Sequence, residues 1–419
     1  MPLLELTQTP EWAGYPKYSA VIGVPVHNEE HYIARSLRLL DHQIDPMDDF
    51  AIVLLLNNCT DSTLTVVRSL AQDLKHDVYV CDIPLPKNLA HAGMARKLAM
   101  DAAARLTEPH GIVLTTDADA VVADDWLAMT RKHVANGAEG VSGFVQHNPA
   151  EKNEWPQELK ERTDLECTYE NLLAELYSLL DPRPHNPWPN HMITLGASLA
   201  ATREAYQKCG GVPPIPCGED RAFIAALERI DARVQFPRDV VAYTSSRLAG
   251  RADGGMAATL KARANDPSLP CDPLLEPVAL ACKRAEWRRT LRDIWPAALP
   301  AAWAQTLKIA PARLRAAWAA PSFGQAWQCI EAASPELARQ CLTMDTLREE
   351  LQKLEALVAR LRLQQIAQQN EVRPVANGQR VSPGYMDRAA SVAAKAVAAT
   401  AIAKPLAEPP AATAAGTTS

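Results

Sequence analysis

Short apolar runs alternate with amphipathic stretches through the first third of the chain. Residues 19–26, 50–56, 78–81 and Gly111-Ile112-Val113-Leu114 are near-continuous apolar runs, the pattern of strands buried on both faces. Between them, residues 29–40, about 61–74 and 92–106 read as helices. This alternation predicts an α/β fold, a mostly parallel Rossmann-like sheet flanked by helices, with ligands at the carboxyl ends of the strands. Residues 156–180 predict one long helix, and 201–246 resume the α/β pattern with a helix at 222–230 and a strand at 240–243.

From about residue 260 glycine nearly vanishes and Ala, Leu, Arg and Trp dominate, which predicts a helical extension. Leu347, Leu351, Leu354, Val358 and Leu361 step by four and three, a short coiled-coil seam. It either joins two copies into a homodimer, which we expect, or packs back on its own domain. After Asn370 an Ala/Pro/Thr-rich tail is expected to be disordered, with at most a weak helix at 389–404. The expected organisation is an N-terminal segment at 1–17, an α/β domain at 18–258, a helical extension at 259–340, a coiled-coil-like helix at 341–370 and a tail at 371–419.

Composition removes several function classes. A net charge of −6 over 419 residues argues against nucleic acid as a partner, because phosphate contacts need a basic face. No run of 18 apolar residues and no basic leader is visible, so a cytoplasmic chain without an integral membrane segment is expected. Nine cysteines without a CxxC pair suggest neither a zinc site nor a disulfide framework.

Candidate chemistry collects at strand ends. In Leu114-Thr115-Thr116-Asp117-Ala118-Asp119-Ala120, two carboxylates stand two residues apart just past a buried strand. They suit Mg²⁺ or Mn²⁺ facing a diphosphate, or they form only a solvated turn and a helix cap before Trp126. Val24-Pro25-Val26-His27-Asn28-Glu29-Glu30 ends the first strand, and Asn57-Asn58-Cys59-Thr60-Asp61-Ser62-Thr63 the second, with Thr60 and Asp61 read as helix caps. In Ala92-Gly93-Met94-Ala95-Arg96-Lys97, Gly93 permits close backbone approach, and Arg96 either reaches a phosphate or lies on a solvated helix face. Glu219 and Asp220 sit at the mouth of a helix, complementing its dipole or supplying a general base. Arg247 and Arg251, in a glycine-containing loop, clamp a diphosphate or an anionic acceptor, or stand solvated. The Pro-rich stretch 181–191, with Trp188, is a rigid connector or a substrate lid.

In this order and at these intervals, VPVHNEE, NNCTDST, AGMARKLAMD, TTDADA, Gly196-Ala197-Ser198-Leu199-Ala200 and GEDRAF resemble the family 2 glycosyltransferases with the GT-A fold, across residues 18–250. The resemblance implies a nucleotide-sugar donor, a divalent metal and usually inversion at the anomeric carbon. It implies that Pro25, His27, Asn28 and Glu29 line the nucleotide pocket, and that Asn57 stands where the family often has an acidic base-reading residue. Asp117 would approach the sugar or ribose, Asp119 would hold the metal against the diphosphate, and Asp220, beside Glu219, would be the catalytic base. Two departures stand out. Many relatives supply a late histidine to the metal, whereas the last histidine here is His191, leaving Thr244, Ser245 or water. The Gln-x-x-Arg-Trp signature of processive synthases is missing. The expected activity is therefore a single, metal-dependent transfer of a hexosyl-type sugar to an acceptor hydroxyl. The alternative is an inactive GT-A-like scaffold assembled through its coiled coil, against which the joint presence of Asp117, Asp119 and Asp220 counts.

Overall fold

A computed structural model describes residues 4–6, 14–70, 72–248 and 254–372. The first half alternates β1 (Leu4–Leu6), β2 (Tyr18–Val26), α1 (Ile33–Asp41), β3 (Phe50–Asn57), α2 (Thr63–Leu70), β4 (Asp77–Ile83), α3 (Ala92–Leu106) and β5 (Thr107–Thr115). Then come β6 (Val121–Val122), α4 (Trp126–Ala135), β7 (Gly140–Ser142), β8 (Phe144–His147), α5 (Pro149–Asn153) and α6 (Gln157–Leu180). The α/β part closes with β9 (Leu199–Thr202), α7 (Arg203–Cys209), α8 (Glu219–Arg229), β10 (Val234–Gln235) and β11 (Val241–Thr244).

The main sheet runs β1-β4-β3-β2-β5-β9-β7-β10, and a smaller one runs β6-β11-β8. The strands β1 to β5 pair in parallel, and β9 is antiparallel to both β5 and β7. All of β3 is buried, as a run with no polar face requires. Its period of two divides the core into two layers. Ile52, Leu54 and Leu56 pack with Ile22 and Val24 beneath α1 and α2, while Ala51, Val53 and Leu55 pack with Val21 beneath α3, α7 and α8. Each fully buried aliphatic side chain contributes about 1.5–3 kcal/mol of transfer free energy, so the strand ends are held on a rigid frame.

The helical region comprises α9 (Met256–Asn265), α10 (Val278–Ile294), α11 (Ala302–Thr306), α12 (Pro311–Trp318), α13 (Phe323–Ala333) and α14 (Met344–Val372). Met1–Arg362 form one unit and the chain from Leu363 a second. Within the first, Leu347, Leu354 and Val358 are fully buried against Tyr169, Leu173, Leu176, Cys271 and Val278. The seam expected to join two copies is thus used inside one chain. The apolar face of α6 takes up the stripe that sequence alone leaves without a partner.

Other expectations shift at their edges. The first helix starts at Ile33, because residues 30–32 form a turn, and the second stops at Leu70. Strands β6 to β10 are two to four residues long, too short for a periodic signal. The N-terminal segment contributes β1, which adds to the sheet edge beside β4. All nine cysteines are free thiols. No helix among the described residues is long and apolar enough to cross a membrane. Arg251, the 389–404 segment and the tail beyond residue 372 lie outside the described residues.

Candidate active site

The ends of β2 and β3 lie side by side, and their loops clip each other. His27 Nδ1 donates to the Asn57 carbonyl at 2.6 Å. Asn28 adopts φ 54° and accepts the Thr60 N–H at 2.7 Å, so its side chain shapes the loop. Asp61 caps α2 by accepting the Thr63 N–H at 3.0 Å, as its capping reading anticipates. Pro25 stays within β2, paired with Leu55. Asn57 is only 4% exposed, and its Oδ1 has no hydrogen-bond partner among the described residues. A buried acceptor left open at a strand end suits a ligand donor such as a base N–H.

Asp117 and Asp119 follow β5 and face different partners. Arg96, in the first turns of α3, lies with its side chain 5% exposed between two carboxylates. It reaches Asp117 Oδ1 at 2.6 Å and Glu219 Oε1 at 3.0 Å, and donates to Thr115 Oγ1 and the Gly196 carbonyl. The expected phosphate role gives way to an internal clamp, because a buried guanidinium needs its donors satisfied. Glu219 is likewise occupied as its counter-ion.

Asp119 meets a different field. Arg247 Nη2 lies 2.9 Å from its carboxylate and 3.3 Å from Glu29, with the guanidinium 4.9 Å over the Tyr32 ring. Burial first, then the charges of Asp117 and Glu29, push Asp119 up to about 7 against the pull of Arg247. Among the described residues, Arg247 Nη1 is buried without a hydrogen-bond partner. Asp117 and Glu219 share Arg96 while Asp119 and Glu29 share Arg247, so four carboxylates face two cations and leave excess negative charge at a sheet edge. That excess fits a divalent ion: the donors are hard oxygens, and the field disfavours ionised Asp119 without one. No cluster of three His, Cys, Asp or Glu side chains suited to a metal occurs among the described residues. Asp119 with Asp117 would therefore need donor phosphate oxygens to complete coordination.

Asp220 opens α8 beside Glu219. Burial raises its pKa above the ordinary carboxylate range, opposed by the Arg221 N–H and the charge of Arg96. Two contacts hold α8 in place. The peptide of Ile215 approaches α3 so closely that a Cβ on Gly93 would lie 1.9 Å from the Ile215 oxygen, the close approach expected of this glycine. From the helical extension, Phe323 and Gly324 donate their N–H groups to Asp231, and Ser322 bonds the Arg229 carbonyl. The extension therefore buttresses the helix that carries Asp220.

Chain order concealed one neighbour of β11. His147 pairs in register with Thr244 through the parallel β8–β11 ladder, with Nδ1 3.3 Å from Ser246 Oγ. Burial lowers its pKa to about 4, so it is neutral at ordinary pH. A search for a histidine late in the chain misses it, since strand pairing rather than sequence brings it there.

Removing the Arg96 charge leaves Glu219 buried without compensation, which costs about 3–5 kcal/mol. Arg96→Met is expected to lower the denaturation midpoint accordingly, and Glu219→Gln in the same chain to recover part of the loss. An unchanged midpoint in Arg96→Met contradicts the clamp.

Residues 21–204 match the family described as "Glycosyl transferase family 2". No curated protein matches the chain in sequence. Among solved structures, the chain is similar to the mannosyltransferase PcManGT from Pyrobaculum calidifontis in complex with GDP-Man and Mn2+, at 20% identity and a TM-score of 0.40, covering 77% of this chain and 91% of that one. It is also similar to S. aureus TarS 1-349 in complex with UDP-GlcNAc, at 16% identity and a TM-score of 0.41, covering 82% and 88% of the two chains. Residues 21–204, which supply most of the mostly parallel sheet and the acidic residues at its carboxyl edge, are thus the part of the chain that carries the match to glycosyl transferase family 2.

Proposed function

We propose that the chain transfers one sugar from a nucleoside-diphosphate sugar to an acceptor hydroxyl, with a divalent metal and inversion at the anomeric carbon. The observation that carries this reading is Asp119: a buried carboxylate beside Asp117 and Glu29, with a raised pKa and Arg247 as its only cation at hydrogen-bond distance among the described residues. A fold tolerates such a site where function needs it. A Mg²⁺ or Mn²⁺ ion held there supplies neutralisation of the departing diphosphate.

The chain's own residues supply the rest. Asn57 and the 27–29 loop border the nucleotide, Asn57 offering its open acceptor to the base. Arg247 turns its free Nη1 toward a diphosphate oxygen, a charge-assisted bond that exchanges protein carboxylates for a phosphate. Arg96 fixes Asp117 and Glu219, so that only Asp220 remains for proton transfer at the mouth of α8. Asp220 accepts the hydroxyl proton late, as the acceptor oxygen attacks the anomeric carbon from the face opposite the diphosphate. Its raised basicity suits that task. No covalent intermediate is required.

The test is incubation with UDP-, GDP-, dTDP- and CDP-sugars and Mn²⁺, with NMR reading the anomer first formed. Turnover of one donor to the opposite anomer is expected. Turnover with retained configuration contradicts the role of Asp220 as a base.

A further inference from the structure

Where β8, α6 and the Trp188 loop meet lies a group of side chains that the transfer chemistry does not use. Val145 is buried in the core, and alternation along β8 turns Phe144 and Gln146, both half-buried, to the opposite face. The Arg238 guanidinium covers the Phe144 ring at 4.9 Å and approaches the Trp188 ring at 5.9 Å. It donates to the Asn190 carbonyl at 2.8 Å and to Asn171 Oδ1 at 2.6 Å, and meets no carboxylate at ion-pair distance among the described residues. Trp188 is 42% exposed, one of few large apolar side chains left in solvent.

Glu170, next to Asn171 on α6, is half-buried, and no hydrogen bond or ion pair reaches it among the described residues. Burial pushes it up to about 7, with Asp272 adding to the rise and Arg221 and Arg238 opposing it. Both Arg238 and Arg221 lie near enough for their charges to act on it; Arg221 follows Asp220, and its own side chain reaches Asp272 at 2.6 Å. A carboxylate kept in such a place without a partner has acceptor capacity in reserve.

The combination has a chemical signature. A sugar ring presents C–H groups on one face and hydroxyls, each both donor and acceptor, around its rim. It needs an exposed aromatic face, a planar acceptor and a planar donor close together. Trp188, Glu170 and Arg238 are these three. We infer that the acceptor is itself a carbohydrate, seated with one ring on Trp188 and its hydroxyls held by Glu170 and Arg238, so that a neighbouring hydroxyl faces Asp220. This rests on the transferase reading and names its acceptor class. An anionic acceptor would instead need Arg238 unopposed, whereas Glu170 stands beside it and repels anions whenever ionised.

The test uses the full chain and saturation-transfer NMR. The probes are the methyl glycosides of glucose, galactose, mannose and N-acetylglucosamine, the disaccharides cellobiose and maltose, and glycerol 3-phosphate as the anion. At least one saccharide is expected to bind, and its affinity to fall about tenfold in Trp188→Ala and in Glu170→Gln. Calorimetric binding of nucleoside diphosphate with Mn²⁺ should be unchanged in both variants. Glu170→Gln keeps the side chain's shape and breaks no hydrogen bond or ion pair among the described residues, so it reports on the site even where Trp188→Ala disturbs folding. The inference is overturned if no saccharide binds while nucleotide does, if saccharide binding survives both variants, or if only glycerol 3-phosphate binds. Loss of nucleotide binding in the unmodified chain is a separate result and sinks the donor reading instead.

Discussion

Asp119→Asn should lower kcat by about three orders of magnitude and, without metal, make the protein harder to denature at pH 8. The rate loss follows if Asp119 is the carboxylate that would hold a divalent ion, whose neutralisation of the leaving diphosphate would be worth several kcal/mol in the transition state. The stability gain follows from linkage. Burial and its acidic neighbours push Asp119 up to about 7 in the folded chain from an ordinary 3.8, so the folded state binds the extra proton between about pH 4 and 7. Ionised Asp119 therefore costs progressively more stability as pH rises through that window, and the full cost applies above it. That rise from 3.8 to about 7 sets a ceiling of about 4 kcal/mol on the gain. The difference between variant and parent should shrink toward zero as pH falls to about 4. Denaturant melts at pH 8 and pH 4, beside an activity assay, check both halves. A variant that is inactive and also less stable at pH 8 contradicts a site strained for function.

Asp220→Asn should lose 10²–10⁴ in kcat, the usual worth of general-base catalysis, and keep its donor affinity. Asparagine keeps the shape and removes the proton acceptor. Since only the ionised carboxylate accepts a proton, the parent's kcat/KM falls as pH drops through the pKa of Asp220, which burial raises above its ordinary value. The limb should vanish in the variant. A variant that keeps the limb at reduced rate assigns the base to another group. Equal losses in donor affinity and rate make Asp220 part of the donor site.

What could be read from sequence depended on the range of the interactions. The parallel core was legible because residues 19–26, 50–56 and 111–114 are buried on both faces, and continuous apolar runs have few other homes. Asp117, Asp119 and Asp220 were legible for the same reason, as polar residues directly after such runs or at a helix mouth. The partners of these residues were not. Nothing near Arg96 signals that Glu219, 123 positions away, takes one end of its guanidinium. Nothing near Thr244 signals that His147 lies across from it. The Leu347 seam shows the limit of periodicity: a stripe reports that a helix face is buried, not what buries it, and here α6 of the same chain does. Glu170 and Arg238 carry no motif, and their meaning emerges only when β8, α6 and the Trp188 loop meet.

The account turns on whether the acidic edge of the sheet binds a nucleoside diphosphate through a metal. Calorimetry with UDP, GDP, dTDP and CDP, each with and without Mn²⁺, on the parent chain and Asp119→Asn, tests this directly. One nucleotide should bind only with metal, and that binding should vanish in the variant. Binding of none of the four to folded parent protein, or equal binding by parent and variant, contradicts the account and leaves a chain that keeps the transferase fold without its chemistry.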